Sequence, residues 1–200
     1  MSFFGDSNNF GLAMIIAGLV VAVISIVSIV LSFSDDDVNG TAVAVVKIGT
    51  IIYALMVAGM GVKVRSGAIS KKLKIVGEFV RIVGLGVIIQ GIFAAVGGAI
   101  EDTSVSSAIL SSIVYIILGL IVLWVASSIV DGKVDVKDRL FWIILVVVFA
   151  ILALYSLINA ISNIVSLDVI FIANLCYVLI YVFLLLALLS DEVKKGMGMA

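Results

Sequence analysis

Six long apolar stretches, separated by short polar segments, dominate the pattern of this sequence. They cover approximately residues 10–33, 42–62, 76–100, 105–128, 140–162 and 167–189. A helix rises 1.5 Å per residue, so about 20 apolar residues are enough to cross the ~30 Å hydrocarbon core of a bilayer. The stretches are continuous rather than alternating, which favours helices over a membrane β-barrel. We therefore expect an all-α, polytopic membrane protein with six transmembrane helices, forming a single transmembrane domain over 1–200.

Composition supports this prediction and argues against several classes of function. Of the 200 residues, 64% are hydrophobic and 12% are charged, about half the charged share of a soluble protein. The net charge of −1 provides no basic surface for a nucleic acid. The sequence has no histidine, one cysteine and no pair of carboxylates within the apolar stretches. We therefore expect a non-enzymatic protein without catalytic residues, metal or cofactor.

The charged residues are distributed unevenly between the two sides of the predicted membrane. Eleven of the twelve basic residues fall on one side: Lys63, Arg65, Lys71, Lys72, Lys74, Arg81, Lys133, Lys137, Arg139, Lys194 and Lys195. The opposite loops carry Asp35–Asp37, Glu101, Asp102 and Asp168, and Lys47 is the base nearest to them. Because short cytoplasmic loops are enriched in Lys and Arg, the pattern predicts a multi-pass protein with both termini cytoplasmic.

A shift of 62 residues reveals an internal repeat. It superposes three tyrosines, three smaller polar residues and three lysines: Tyr53, Tyr115 and Tyr177; Thr50, Ser112 and Asn174; Lys71, Lys133 and Lys195. The repeat predicts three tandem helical hairpins, at approximately 10–72, 73–137 and 138–200. Parallel repeats in membrane proteins are related by an axis along the membrane normal, so we expect a pseudo-threefold arrangement.

Small residues recur every seven positions on two odd-numbered helices. We call them the small-residue seam: Gly11, Gly18, Ser25 and Ser32 on the first helix, and Gly77, Gly84, Gly91 and Gly98 on the third. Seven residues make nearly two helical turns, so each set forms one stripe. Such stripes allow helices to approach closely, within the chain or between subunits. We expect this packing role, and the alternative is a gap for a lipid or solute.

Polar side chains occupy similar depths on the even-numbered helices. We call them the polar belt: Thr50, Tyr53, Ser112, Tyr115, Asn174 and Tyr177, with Lys47 one turn outward from Thr50. Residues three apart share a helix face, so each helix presents two hydrogen-bonding groups. The groups either bond between helices, with Lys47 reaching the headgroups or Asp35–Asp37, or surround a wet cavity.

Two classes of function follow from these patterns. In the first, the protein is a structural or accessory subunit, a helix-packing scaffold in the lipid bilayer that forms a homo-oligomer or binds a membrane-protein partner. The alternative is a small transporter, channel or lipid-binding protein with a central polar cavity ringed by Tyr53, Tyr115 and Tyr177. The lack of proline and the regular seam indicate rigid helices and favour the first class.

Overall fold

The computed structural model describes residues 6–101, 105–130, 136–165 and 170–199. These ranges form seven helices and no strand: α1 (Ser7–Ser32), α2 (Gly40–Arg65), α3 (Lys72–Ile100), α4 (Val105–Val130), α5 (Val136–Val165), α6 (Ile170–Leu188) and α7 (Asp191–Gly196). Six of them, α1 to α6, are long and apolar enough to cross a membrane. The predicted all-helical fold with six candidate spans is confirmed.

Four helices, α1, α2, α3 and α5, begin two to four residues before the predicted apolar stretches do, because their first turns include polar residues. At α1 the Asp6 carboxylate accepts a hydrogen bond from the Asn8 backbone N–H at 2.9 Å. At α2 the Asn39 side chain accepts one from the Ala42 N–H at 3.2 Å. Such caps satisfy the first N–H groups of a helix, which have no partner within it. A search for apolar residues alone misses these turns.

The helices pack side by side in a definite order. α1 packs along α2, α3 along α4, and α5 along α6, and α2 also packs along α3. The bundle is completed by contacts of α6 with α1 and α3. The central helices are therefore α1, α2, α3 and α6, while α4 flanks α3 and α5 flanks α6.

The two flanking helices meet over only a short stretch near the segment that joins them. There the Ser128 hydroxyl donates a hydrogen bond to the buried Asp138 carboxylate at 2.8 Å. The rings of Trp124 and Phe141 make an edge-to-face contact with centroids 5.3 Å apart. These residues belong to the last two turns of α4 and the first two of α5. The described residues give no such packing at the other ends of α4 and α5.

Large buried side chains are concentrated in one half of the bundle. On the central helices they are Phe10, Met14 and Ala17; Val57, Met60 and Val64; Val76, Phe79 and Val80; and Ile180, Leu184 and Leu188. All lie in the half where α1 and α3 begin and α2 and α6 end, which we call the closed half. The half that contains the α1–α2 connection and the end of α3 is the open half.

The short helix α7 covers the end of the closed half. Its Val193 and the following Met197 are buried, and Gly196 lies against the Leu73 side chain. The Glu192 carboxylate accepts a hydrogen bond from the backbone N–H of Lys72 at 3.1 Å. Because the α3 N-cap residue makes no side-chain cap bond, Glu192 supplies an acceptor that α3 itself lacks.

Candidate functional site

One face of α3 is buried near the start of the helix and becomes exposed towards its end. Val76 and Phe79 are 0% and 1% exposed in the closed half. Val83 and Gln90 follow Val76 at intervals of seven, so they share its face. Val83 is half-buried and Gln90 is exposed. The face that packs the core in the closed half is therefore accessible in the open half, where it carries an amide.

The other central helices show the same change. The stripe of α1 through Phe10, Met14 and Ala17 reaches half-buried Ser28 in the open half. On α2 and α6, buried aliphatic side chains give way to half-buried Thr50 and Tyr177. We call this accessible region of the inner faces, marked by Ser28, Thr50, Gln90 and Tyr177, the crevice.

Three tyrosines lie at the boundary between the two halves. The rings of Tyr177 and Tyr181 are stacked with centroids 6.1 Å apart, and Tyr181 stacks on Phe149 at 6.2 Å. Tyr53 approaches from α2, close enough to both tyrosines for electrostatic interaction. All three rings pack against the core of the closed half, so they form the floor of the crevice.

Gly86 makes room for Tyr53 on the floor. A Cβ added at Gly86 would collide with the Tyr53 ring, so a larger residue would displace the tyrosine from α3. Neither Gly86 nor Tyr181 was predicted from the sequence. The relevant pattern was the spacing of four between Tyr177 and Tyr181, which places the two rings on one face.

The hydroxyls of the floor tyrosines have accessible surface. Within the described ranges, Tyr53, Tyr177 and Tyr181 make no hydrogen bond, whereas every fully buried side-chain polar atom has a partner. Each hydroxyl therefore keeps a small accessible surface, although the tyrosines are largely buried and Tyr53 is the most buried of the three. They can donate to or accept from a molecule in the crevice.

A cavity of about 250 Å³ lies between α2 and α3 at the far end of the open half. Its lining consists of Ala42, Val43, Val46, Lys47, Ala94, Gly97, Gly98 and Glu101. Lys47 and Glu101 contribute opposite charges, and neither forms an ion pair with another described residue. The cavity is large enough for a small polar group with accompanying water.

The small-residue seam lies between helices of the same chain at most of its positions. Added Cβ atoms would meet the Gly61 carbonyl at 2.8 Å from Gly11, and the Gly119 carbonyl at 3.0 Å from Gly84. The remaining contacts are with side chains or backbone of α2 and α4: Gly18 with Ala54 and Ala58, Gly77 with Val130, and Gly91 with Tyr115. Ser25 and Ser32 are buried, and Gly98 lines the cavity instead.

The polar belt is brought together only in part. Tyr53 and Tyr177 both pack against the core and interact electrostatically, whereas Tyr115 is 45% exposed and lies on α4 against Gly91. The predicted ring of three tyrosines is therefore not formed, because α4 flanks the central helices instead of joining them. The third tyrosine near Tyr53 and Tyr177 is Tyr181.

The smaller belt residues are more dispersed. The Thr50 hydroxyl donates to the Val46 carbonyl of its own helix at 3.4 Å, so this bond does not link helices. Ser112 and Asn174 are half-buried on α4 and α6. Asp168, Asp102 and Lys133 lie outside the described residues.

The crevice therefore combines hydroxyl and amide groups on its walls and floor with a base and an acid at its far end. Such groups can hold a polar ligand by hydrogen bonds and charge. Comparison with protein-family models, curated proteins and solved structures finds no match to this chain.

Proposed function

We propose that this chain is a non-catalytic integral membrane protein that holds a polar solute, or the polar part of a lipid, in the crevice of its open half. The observation that carries the proposal is the change along the inner faces of the four central helices. In the closed half these faces are apolar and fully buried. In the open half they are accessible and carry Ser28, Thr50, Gln90 and Tyr177.

The energetics of polar groups in a membrane support a ligand or water in the crevice. An amide facing hydrocarbon without a partner is costly, and Gln90 is exposed with no hydrogen bond to another described residue. Lys47 adds an ionisable group without an ion pair at the far end. Water or a polar ligand would satisfy both groups.

The packed closed half favours binding over a continuous pore. Fully buried Phe79, Ile180 and Leu184 fill the bundle below the tyrosine floor. A solute that reaches Tyr53 from the open end therefore meets a dense apolar layer. The protein would release its ligand to the side from which it came, or pass it on only after a rearrangement.

The accessory-subunit alternative is favoured by a different observation. α4 and α5 meet near their joining segment, and in the open half they carry exposed apolar side chains such as Leu110, Ile151 and Leu154. A transmembrane helix of a partner, or of a second copy, would fit between them and cover Gln90. Most seam glycines already contact helices of the same chain, so this partner would bind through α4 and α5.

The hairpin repeat and the orientation are parts of the same proposal. Packing of α1 on α2, α3 on α4 and α5 on α6 supports three tandem hairpins. The contacts between successive hairpins are unequal, so they lend no support to a pseudo-threefold axis. The excess of Lys and Arg favours cytoplasmic termini, and the crevice would then open to the opposite side.

Cysteine labelling tests the proposal. In a chain carrying Cys176→Ala, Gln90→Cys and Thr50→Cys should react with charged methanethiosulfonate reagents added to intact cells, because thiols ionise and react only where water reaches them. Val76→Cys, on the same face of α3, and Ile151→Cys, facing lipid, are the matched controls and should stay unmodified.

The pattern of protection decides between the alternatives. Protection of positions 50 and 90 in cells and after purification would contradict a wet crevice. Protection in cells that is lost on purification would favour the accessory subunit, since a partner helix would have been removed.

A further inference from the structure

A second concave surface lies on the outside of the closed half. It is a groove of about 430 Å³ between α2 and α3, lined by Met56, Gly59, Met60, Lys63, Ile69, Glu78, Arg81, Ile82 and Leu85. A Cβ added at Gly59 would meet nothing within 4 Å, so the groove is open at this point. It shares no lining residue with the crevice or with the cavity at Lys47.

The charged residues of this groove are not neutralised by one another. Glu78 and Arg81 are three residues apart on α3, a spacing that commonly gives an ion pair. Neither they nor Lys63 forms a salt bridge with a described residue. Two bases and one acid leave an excess of positive charge. Lys74, exposed on the same face of α3, and Lys71, the exposed N-cap residue of α3, extend it.

The polar and apolar parts of the groove lie at different positions along the axes of α2 and α3. Lys63 lies in the last turn of α2, and Glu78 and Arg81 lie in the second and third turns of α3, near the same membrane surface. Met56 and Leu85 lie one to two turns deeper from these charges, towards the middle of the bilayer. A charged end followed by an apolar channel matches the shape of a phospholipid.

We propose that this groove binds one anionic glycerophospholipid with a hydroxylated headgroup. Lys63 and Arg81 hold the phosphate, one acyl chain follows Met56 and Leu85, and Glu78 accepts a hydrogen bond from a headgroup hydroxyl. Basic pockets between transmembrane helices bind anionic headgroups by this chemistry. The site is independent of the proposed ligand in the crevice.

Native mass spectrometry with defined lipids tests the assignment. Protein from nanodiscs of equal parts phosphatidylcholine and phosphatidylglycerol should retain one phosphatidylglycerol in preference to phosphatidylcholine by about tenfold. The double variant Lys63→Gln with Arg81→Gln should lose this preference, whereas Lys47→Gln, a base at the other end of α2, should keep it. Equal retention of both lipids by the unaltered protein, or preference surviving in the double variant, would overturn the proposal.

A variant that fills the groove distinguishes binding of a lipid from binding of a free anion. Gly59→Leu leaves all charges in place and projects into open space, so it should fold normally and lose the retained lipid. Inorganic phosphate added to delipidated protein in detergent should not protect it from thermal unfolding, while phosphatidylglycerol should. Protection by phosphate alone, unaffected by Gly59→Leu, would show an anion site and contradict a lipid site.

A comparison of two anionic lipids, with and without a headgroup hydroxyl, tests the role of Glu78. Phosphatidylmethanol carries the same charge as phosphatidylglycerol but no headgroup hydroxyl. The unaltered protein should prefer phosphatidylglycerol over it by a few fold, and Glu78→Gln should reduce that preference. A uniform rise in retention of both lipids in Glu78→Gln would instead show that Glu78 only opposes the negative charge, against the hydroxyl contact.

Discussion

The closed and open halves of the bundle are built from the same six helices, yet their inner faces are filled differently. In the closed half aromatic rings lock the helices together: Phe10 meets Phe183 at 5.6 Å and Phe79 meets Phe149 at 6.2 Å, both edge to face. In the open half the corresponding faces carry Ser28, Thr50 and Gln90. Within lipid, apolar surface alone does not bring helices together, so shape and polar groups decide where a bundle closes.

The groove and the cavity between α2 and α3 also lie in different halves of the bundle. The groove at Lys63 lies outside the closed half, and the cavity at Lys47 lies at the far end of the open half. Each has a base and an acid without an ion pair among the described residues. Charges at both ends of one helix pair therefore remain available for ligands.

Truncating a phenylalanine should distinguish the halves most strongly. Phe79→Ala would leave a cavity in a fully buried site and reduce the free energy of unfolding by about 3–5 kcal/mol. Phe93→Ala, on the half-buried surface of α3 in the open half, should cost clearly less. Unfolding in mixed micelles measures both. Equal losses would contradict the difference in packing.

A methyl group in the seam should have the next largest effect. A Cβ at Gly18 would collide with the backbone of Ala54 and Ala58, so Gly18→Ala should destabilise the protein by about 1–3 kcal/mol. Gly59→Ala is the matched control, since it faces open space and should be neutral or slightly stabilising. Thermal unfolding in detergent compares them, and a Gly18→Ala chain as stable as the control would exclude close α1–α2 contact.

The contact between α4 and α5 should depend in part on the hydrogen bond from Ser128 to buried Asp138. Ser128→Ala removes the donor to Asp138 and should cost about 1.5 kcal/mol. Spin labels at exposed Ile121 and Leu140, in a Cys176→Ala background, would report a broader distance distribution in the variant, measured by pulsed electron resonance. Ser127→Ala, whose hydroxyl bonds its own helix, should leave the distribution unchanged.

The smallest change in stability is expected for a substitution in α7, the helix that covers the end of the closed half. Glu192→Ala removes the acceptor for the Lys72 N–H at an exposed position, so the loss should be about 0.5 kcal/mol. Hydrogen exchange should increase in the first turn of α3 and in α7, and remain unchanged in α6. The matched Asp191→Ala variant should leave exchange at Lys72 unaltered.

The sequence was enough to predict the six spans, because a run of apolar residues has few alternatives in a chain this hydrophobic. It also located stripes of small residues, but glycine spacing alone does not identify the facing helix. Gly86 was missed because its importance comes from Tyr53 on another helix. The short helix α7 was missed because it has six residues, four of them charged, on either side of one buried valine.

The open half was the least predictable feature. Apolar residues predominate in both halves of each helix, so composition does not indicate which half is packed. In the sequence Gln90 is one of several polar residues on the odd-numbered helices. It identifies the open half only because Val76 and Phe79, along the same face, are buried. The spacing of 62 residues grouped Tyr115 with Tyr53 in the sequence, whereas the position of α4 separates them in the structure.

The proposed function requires that one inner face of α3 is dry and packed at Val76 and open to water at Gln90. Spin labels at these two positions, in bilayers and in a Cys176→Ala background, measure this difference through collisions with a water-soluble nickel chelate and with oxygen. We expect nickel access at position 90, oxygen access alone at exposed Ile151, and access by neither at position 76. Oxygen access alone at position 90, or no access there at all, would contradict the proposed function.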